Sequence, residues 1–188
     1  GLEEKEGLMY EIDSQVPYSG PYEFYSGRSG RNGQSLESIG SYKEGLMDEL
    51  WKFYYDKGQL KELGNYKNGN RNGPFEFYHD NGQLDTSGNF KDGIIEDGVW
   101  KFYHDNGQLK ELGNYKNGNP NGPFEFYHDN GQLKELGSYK DANRNGPFEF
   151  YHDNGQLEEL GNYKNANRNG PFEFYHDNGQ LDTSGNFK

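Results

Sequence analysis

The chain has 188 residues, a net charge of −12 and only 30% apolar residues, with a mean hydropathy of −1.24 and a pI near 4.8. That balance excludes a phosphate-binding basic surface, and with it nucleic acid, and it disfavours contact with anionic membranes. There is no cysteine, which excludes a disulfide framework and a thiolate metal site. Low apolar content with high charge ordinarily signals disorder, but 16 Tyr, 13 Phe and 2 Trp recur at a fixed spacing, and the chain reads as folded.

In chain order, residues 1–17 form a lead-in and residues 18–188 an array of repeats. The glycine of each Asn-Gly-Gln or Lys-Gly-Gln turn falls at Gly33, Gly58, Gly82, Gly107, Gly131, Gly155 and Gly179, intervals of 25, 24, 25, 24, 24 and 24 residues. Seven units follow, the first degenerate: its loop, Ser26–Gly33, is long and carries Arg28 and Arg31. A period of this size means stacked supersecondary units that bury their faces against their neighbours.

Within a unit, Pro74-Phe75-Glu76-Phe77-Tyr78-His79 is an aromatic strand-length run, and Asp80-Asn81-Gly82 reads as a two-residue hairpin turn through Asn-Gly. The return run is strand-length again, as in Leu60–Lys67, and Asn68–Gly73 reads as a second, looser turn. The segment Ile94–Asp97 holds an extra residue, expected as a bulge or lengthened turn. The same thirteen letters, NGPFEFYHDNGQL, appear at 72–84, 121–133, 145–157 and 169–181, and Pro74–Lys91 is identical to Pro171–Lys188. No segment sustains a helical apolar period. The expected fold is all-β: an elongated, single-layer antiparallel meander of about seven hairpins, roughly 65 Å long, with aromatic residues on both faces and both faces contributing to packing.

The repeat resembles the MORN (membrane occupation and recognition nexus) repeat in its bacterial variant, an aromatic-x-x-Tyr-x-x-Asn-Gly-x-Leu-x-x-x-Gly-x-Tyr-x-x-Gly pattern seen in Trp51–Leu60 and continued by Gly64, Tyr66 and Gly69. It departs from the eukaryotic form at Ala142 and Ala166, where glycine is usual, and at Phe75 and its equivalents. The resemblance implies a β-hairpin scaffold that binds proteins, with antitoxin or immunity-like neutralisation as a subhypothesis drawn from relatives. The opening Glu6–Tyr10 and Pro17–Gly20 resembles segments that follow a secretion or lipoprotein leader, which implies an extracytoplasmic home.

The candidate site is the tyrosine ladder Tyr54, Tyr78, Tyr103, Tyr127, Tyr151 and Tyr175, since a row of aromatic rings with polar tips suits protein or carbohydrate recognition. The histidines His79, His104, His128, His152 and His176 form a second ladder. Neighbours two strands apart stand roughly 9.6 Å from each other, too far to share a zinc ion well, and they read as strand-end residues. Asp80, Asp105, Asp129, Asp153 and Asp177 read as side chains that stabilise the turn. Every acid and base is multiplied by the repeat, unlike the single constellation that catalysis requires, so the expectation is a non-enzyme with no cofactor and no metal. Head-to-tail pairing of exposed sheet edges is the competing structural role, and a carbohydrate surface reported by Trp51 and Trp100 a further one.

Overall fold

The computed structural model describes residues 1–26 and 35–188; the arginine-bearing part of the first loop lies outside the described residues. The chain is an antiparallel meander of successive hairpins with no helix among the described residues, and it divides into two units, Gly1–Ile94 and Ile95–Lys188.

In the first unit a small hairpin, β1 (Leu2–Lys5) and β2 (Leu8–Glu11), precedes the sheet of β3 (Gly20–Ser26), β4 (Ser35–Lys43), β5 (Leu46–Tyr54), β6 (Leu60–Lys67), β7 (Asn70–Tyr78) and β8 (Leu84–Lys91). Each strand pairs antiparallel with the next. The two-residue β9 (Ile94–Ile95) stands where the chain passes between the units. The second unit runs β10 (Gly98–Tyr103), β11 (Leu109–Lys116), β12 (Asn119–Tyr127), β13 (Leu133–Lys140), β14 (Asn143–Arg144), β15 (Gly146–Tyr151), β16 (Leu157–Lys164), β17 (Asn167–Arg168), β18 (Gly170–Tyr175) and β19 (Leu181–Phe187). Here β14 with β15, and β17 with β18, are the two halves of one crossing of the sheet.

The two turns exchange the geometries expected of them. At Asp80-Asn81-Gly82 the His79 carbonyl accepts from the Gly82 N–H at 2.9 Å, and the Gln83 carbonyl accepts from the His79 N–H at 2.8 Å. Gly82 has φ 85° and Asn81 is not left-handed. This is a three-residue loop, a type I turn closed by a glycine bulge, and not a two-residue turn. The tight turn is instead Asn68-Gly69, left-handed at both residues (φ 49° and 77°), with Lys67 paired to Asn70. The supposed loose loop is thus a type I′ turn followed at once by β7, because consecutive positive φ values match the twist of the flanking strands.

Alternation sorts the side chains cleanly. Trp51, Gly64 and Phe75 lie opposite one another in register, as do Phe53, Glu62 and Phe77, so they share one face. That face holds the core: Trp51 and Phe75 are 1% exposed, Phe148 2% and Phe124 4%. Even packing of both faces is therefore not what the chain does. The reason is a glycine row. A Cβ on Gly64 would stand 2.2 Å from the Phe75 ring, one on Gly40 2.2 Å from the Trp51 indole, and one on Gly137 2.7 Å from the Phe124 ring. Each ring lies flat over the bare backbone of a neighbouring strand and is walled by others, Phe75 by Tyr66 at 5.4 Å and Phe90 at 5.0 Å, which is how one layer buries a phenyl ring.

Candidate binding surface

On the opposite face, Tyr54, Tyr78, Tyr103, Tyr127, Tyr151 and Tyr175 each end a strand and pair with Leu60, Leu84, Leu109, Leu133, Leu157 and Leu181. Four of the hydroxyls donate to the carboxylate two residues earlier: Tyr78 to Glu76, Tyr127 to Glu125, Tyr151 to Glu149 and Tyr175 to Glu173. Burial, then the Glu76 carboxylate, pushes the Tyr78 phenol up to about 12. For Tyr127 the bond to Glu125 leads and burial follows, again to about 12. Each pair is a half-buried ring with a fixed, negatively charged tip. At Tyr54 and Tyr103 the residue two places earlier is Lys52 or Lys101, so these two tyrosines lack the carboxylate.

The histidine ladder is spent on structure. His104, His128 and His152 place Nε2 at 2.9–3.0 Å from the carbonyls of Tyr127, Tyr151 and Tyr175, one repeat onward. At the same place in an earlier repeat, Tyr55 donates its hydroxyl to the Tyr78 carbonyl at 2.6 Å. His176 instead lies 3.4 Å from Asp182. The turns are capped by their asparagines: Asn81, Asn106, Asn130, Asn154 and Asn178 each accept through Oδ1 from the following Gln N–H at 2.8–3.0 Å. The aspartates contribute backbone, since the carbonyls of Asp129, Asp153 and Asp177 accept from the Asn side chain of the preceding repeat. Asparagine wins because its amide carries both an acceptor for its own turn and a donor for the next.

The buried face carries a polar constellation that sequence reading passed over. Arg71 bonds Glu62 at 2.9 Å, Arg144 bonds Glu135 at 3.0 Å and Arg168 bonds Glu159 at 2.7 Å. Arg71 lies over Phe75, Phe77 and Phe90 at 5.1–5.2 Å, and Arg144 over Phe124, Phe150 and Tyr163 at 5.6–5.9 Å. Glu135 and Glu159 are only 5% exposed, and burial raises both carboxyls against the pull of their arginines. The signal was present as a Glu and an Arg nine residues apart across a tight turn, a spacing that acquires meaning only once the turn is known. Trp51 and Trp100 sit on this face, 1% and 4% exposed, so neither indole offers a sugar a platform.

These features define a β-hairpin repeat protein with one face given to packing and the other to solvent. The MORN repeat variant model matches residues 50–68, 71–92, 96–117, 120–141, 144–165 and 168–188, and the chain belongs to that family. MORN repeats are a non-catalytic class that generally binds proteins or lipids. No curated protein matches the chain. Among solved structures it is similar to the crystal structures of TcdB2-TccC3-Cdc42 (12% identity, 88% of this chain and 12% of that chain, TM-score 0.23) and of TcdB2-TccC3 (12% identity, 95% and 13%, TM-score 0.23). The chain spans about an eighth of their length, and at that TM-score the likeness carries no argument.

Proposed function

We propose that the chain is a non-enzymatic module that binds a basic protein partner through its tyrosine face, in the manner of an antitoxin or immunity protein. The observation that carries this reading is the row of Tyr–Glu pairs at Tyr127, Tyr151 and Tyr175 in the second unit. Aromatic rings held in place by their own carboxylates give contact area at low entropic cost, and a chain of net charge −12 steers cationic surfaces toward them.

The test is affinity capture from the source organism with the native chain and a Tyr127→Ala/Tyr151→Ala variant. A partner retained at low salt, released at high salt and lost by the variant is the expected result. A retained set identical for both proteins removes the tyrosine face from the reading, and sedimentation with anionic lipid vesicles would replace it with a membrane role.

A further inference from the structure

The Glu–Arg–Tyr constellation has one incomplete copy. In register, Tyr66 faces Arg71, Tyr139 faces Arg144 and Tyr163 faces Arg168, but Tyr115 faces Pro120. Glu111 occupies the place of Glu62, Glu135 and Glu159, with the Tyr115 hydroxyl 3.4 Å away and no ion pair among the described residues. The carboxylate is half-buried. Its register partners on either side are the rings of Phe102 and Phe126, and Tyr115 stands 6.3 Å from Phe102. These are the ring types that sandwich a guanidinium elsewhere in the chain.

Gly113, two residues from Glu111, is itself buried. It is not covered by a ring from an adjacent strand: a Cβ there would meet Glu111 Oε1 and the edge of Tyr115, both at 3.3 Å. Of its two register partners, Trp100 and Phe124, Phe124 leans onto Gly137. Burial raises the Glu111 carboxyl above its ordinary range, as it does those of Glu135 and Glu159.

We propose that Glu111, flanked by Phe102, Tyr115 and Phe126, receives an arginine side chain of a protein partner, whose guanidinium takes the place that Arg71, Arg144 and Arg168 fill in three other repeats. Arginine is the fitting cation, because a planar fork can both bond the carboxylate and stack on rings, which an ammonium does less well. The proposal rests on the protein-binding reading and assigns that partner one anchoring residue.

The probe is an acetylated Gly-Arg-Gly amide titrated into the full chain, with the Gly-Lys-Gly and Gly-citrulline-Gly peptides as controls, followed by amide NMR shifts. Saturable shifts at Glu111, Gly113 and Tyr115, at least tenfold weaker with citrulline, are expected. They vanish in Pro120→Arg, whose own guanidinium fills the site, and in Glu111→Gln, which needs no repacking of the turn. Equal shifts in the native chain and a folded Pro120→Arg variant overturn the proposal, as does equal binding of the citrulline peptide. A captured partner that binds Pro120→Arg undiminished but is lost by the tyrosine variant sinks this inference and leaves the protein-binding reading standing; peptide binding at Glu111 with no protein partner does the reverse.

Discussion

At the residue scale, the tight turn is where sequence and geometry disagree most sharply. Its two positions are left-handed in every repeat, and glycine takes the second at Gly69, Gly93 and Gly118. Ala142 and Ala166 hold the same place with φ 62° and 66°, where a Cβ crowds the following carbonyl at a cost of about 1–2 kcal/mol. Part of that cost returns as the entropy a glycine would lose on folding. Ala142→Gly and Ala166→Gly should therefore each stabilise the chain by about 1 kcal/mol, read as a higher urea midpoint at unchanged slope. A lower midpoint would mean that the alanine methyl makes a contact worth more than the strain.

At the scale of the element, repeats are held to one another along both margins of the sheet by bonds between successive hairpin tips. On one margin the second residue of the tight turn donates its N–H to a carbonyl in the preceding repeat, as Gly93 does to Arg71 and Ala166 to Arg144, both at 2.9 Å. On the other, histidine reaches the next tyrosine carbonyl. A hairpin stacked this way cannot shift register without breaking both margins, which is why the strands follow a single register through identical sequences. His128→Ala removes the bond to Tyr151 and should cost about 1 kcal/mol. His128→Tyr should recover most of it, since Tyr55 already performs that role with a hydroxyl. Thermal unfolding of the two variants decides the matter: equal losses would show that the imidazole ring packing, not its N–H, holds the tip.

For the whole molecule, the decisive property is how many phenols are held neutral. Tyr42, Tyr66, Tyr78, Tyr115, Tyr127 and Tyr151 are all pushed up to about 12. In all but Tyr127 burial is the largest cause, and at Tyr127 the bond to Glu125 is. A group whose folded pKa lies above its unfolded value of 10 favours the protonated state in the fold. Its contribution is fully present below pH 10 and disappears as pH rises through about 12. With several such groups acting together, the chain should lose its sheet cooperatively between pH 10 and 12. The phenolate absorbance of these six should rise with loss of the far-ultraviolet strand signal and not before it. Phenolate formation complete by pH 10.5 with the sheet intact would contradict this.

The sequence by itself determined the period, the all-β hairpin unit and the two facing rows of side chains, because turn glycines and alternating aromatics act within a few residues of one another. It also exposed the tyrosine ladder, a pattern readable by parity alone. It did not decide which of two Asn-Gly turns is tight: both contain the same dipeptide, and φ at Asn81 and Asn68 depends on the strand pairing that each turn must close. Nor did it tell the packing face from the open one, since both carry aromatic rings. That choice was made by the glycines at 64, 137 and 161, which let a ring of the adjacent strand lie on bare backbone. The ion pairs between Glu and Arg nine residues apart, and the pairing of Tyr115 with Pro120 where the other three copies set arginine, belong wholly to the tertiary structure, because only a closed type I′ turn brings those positions face to face.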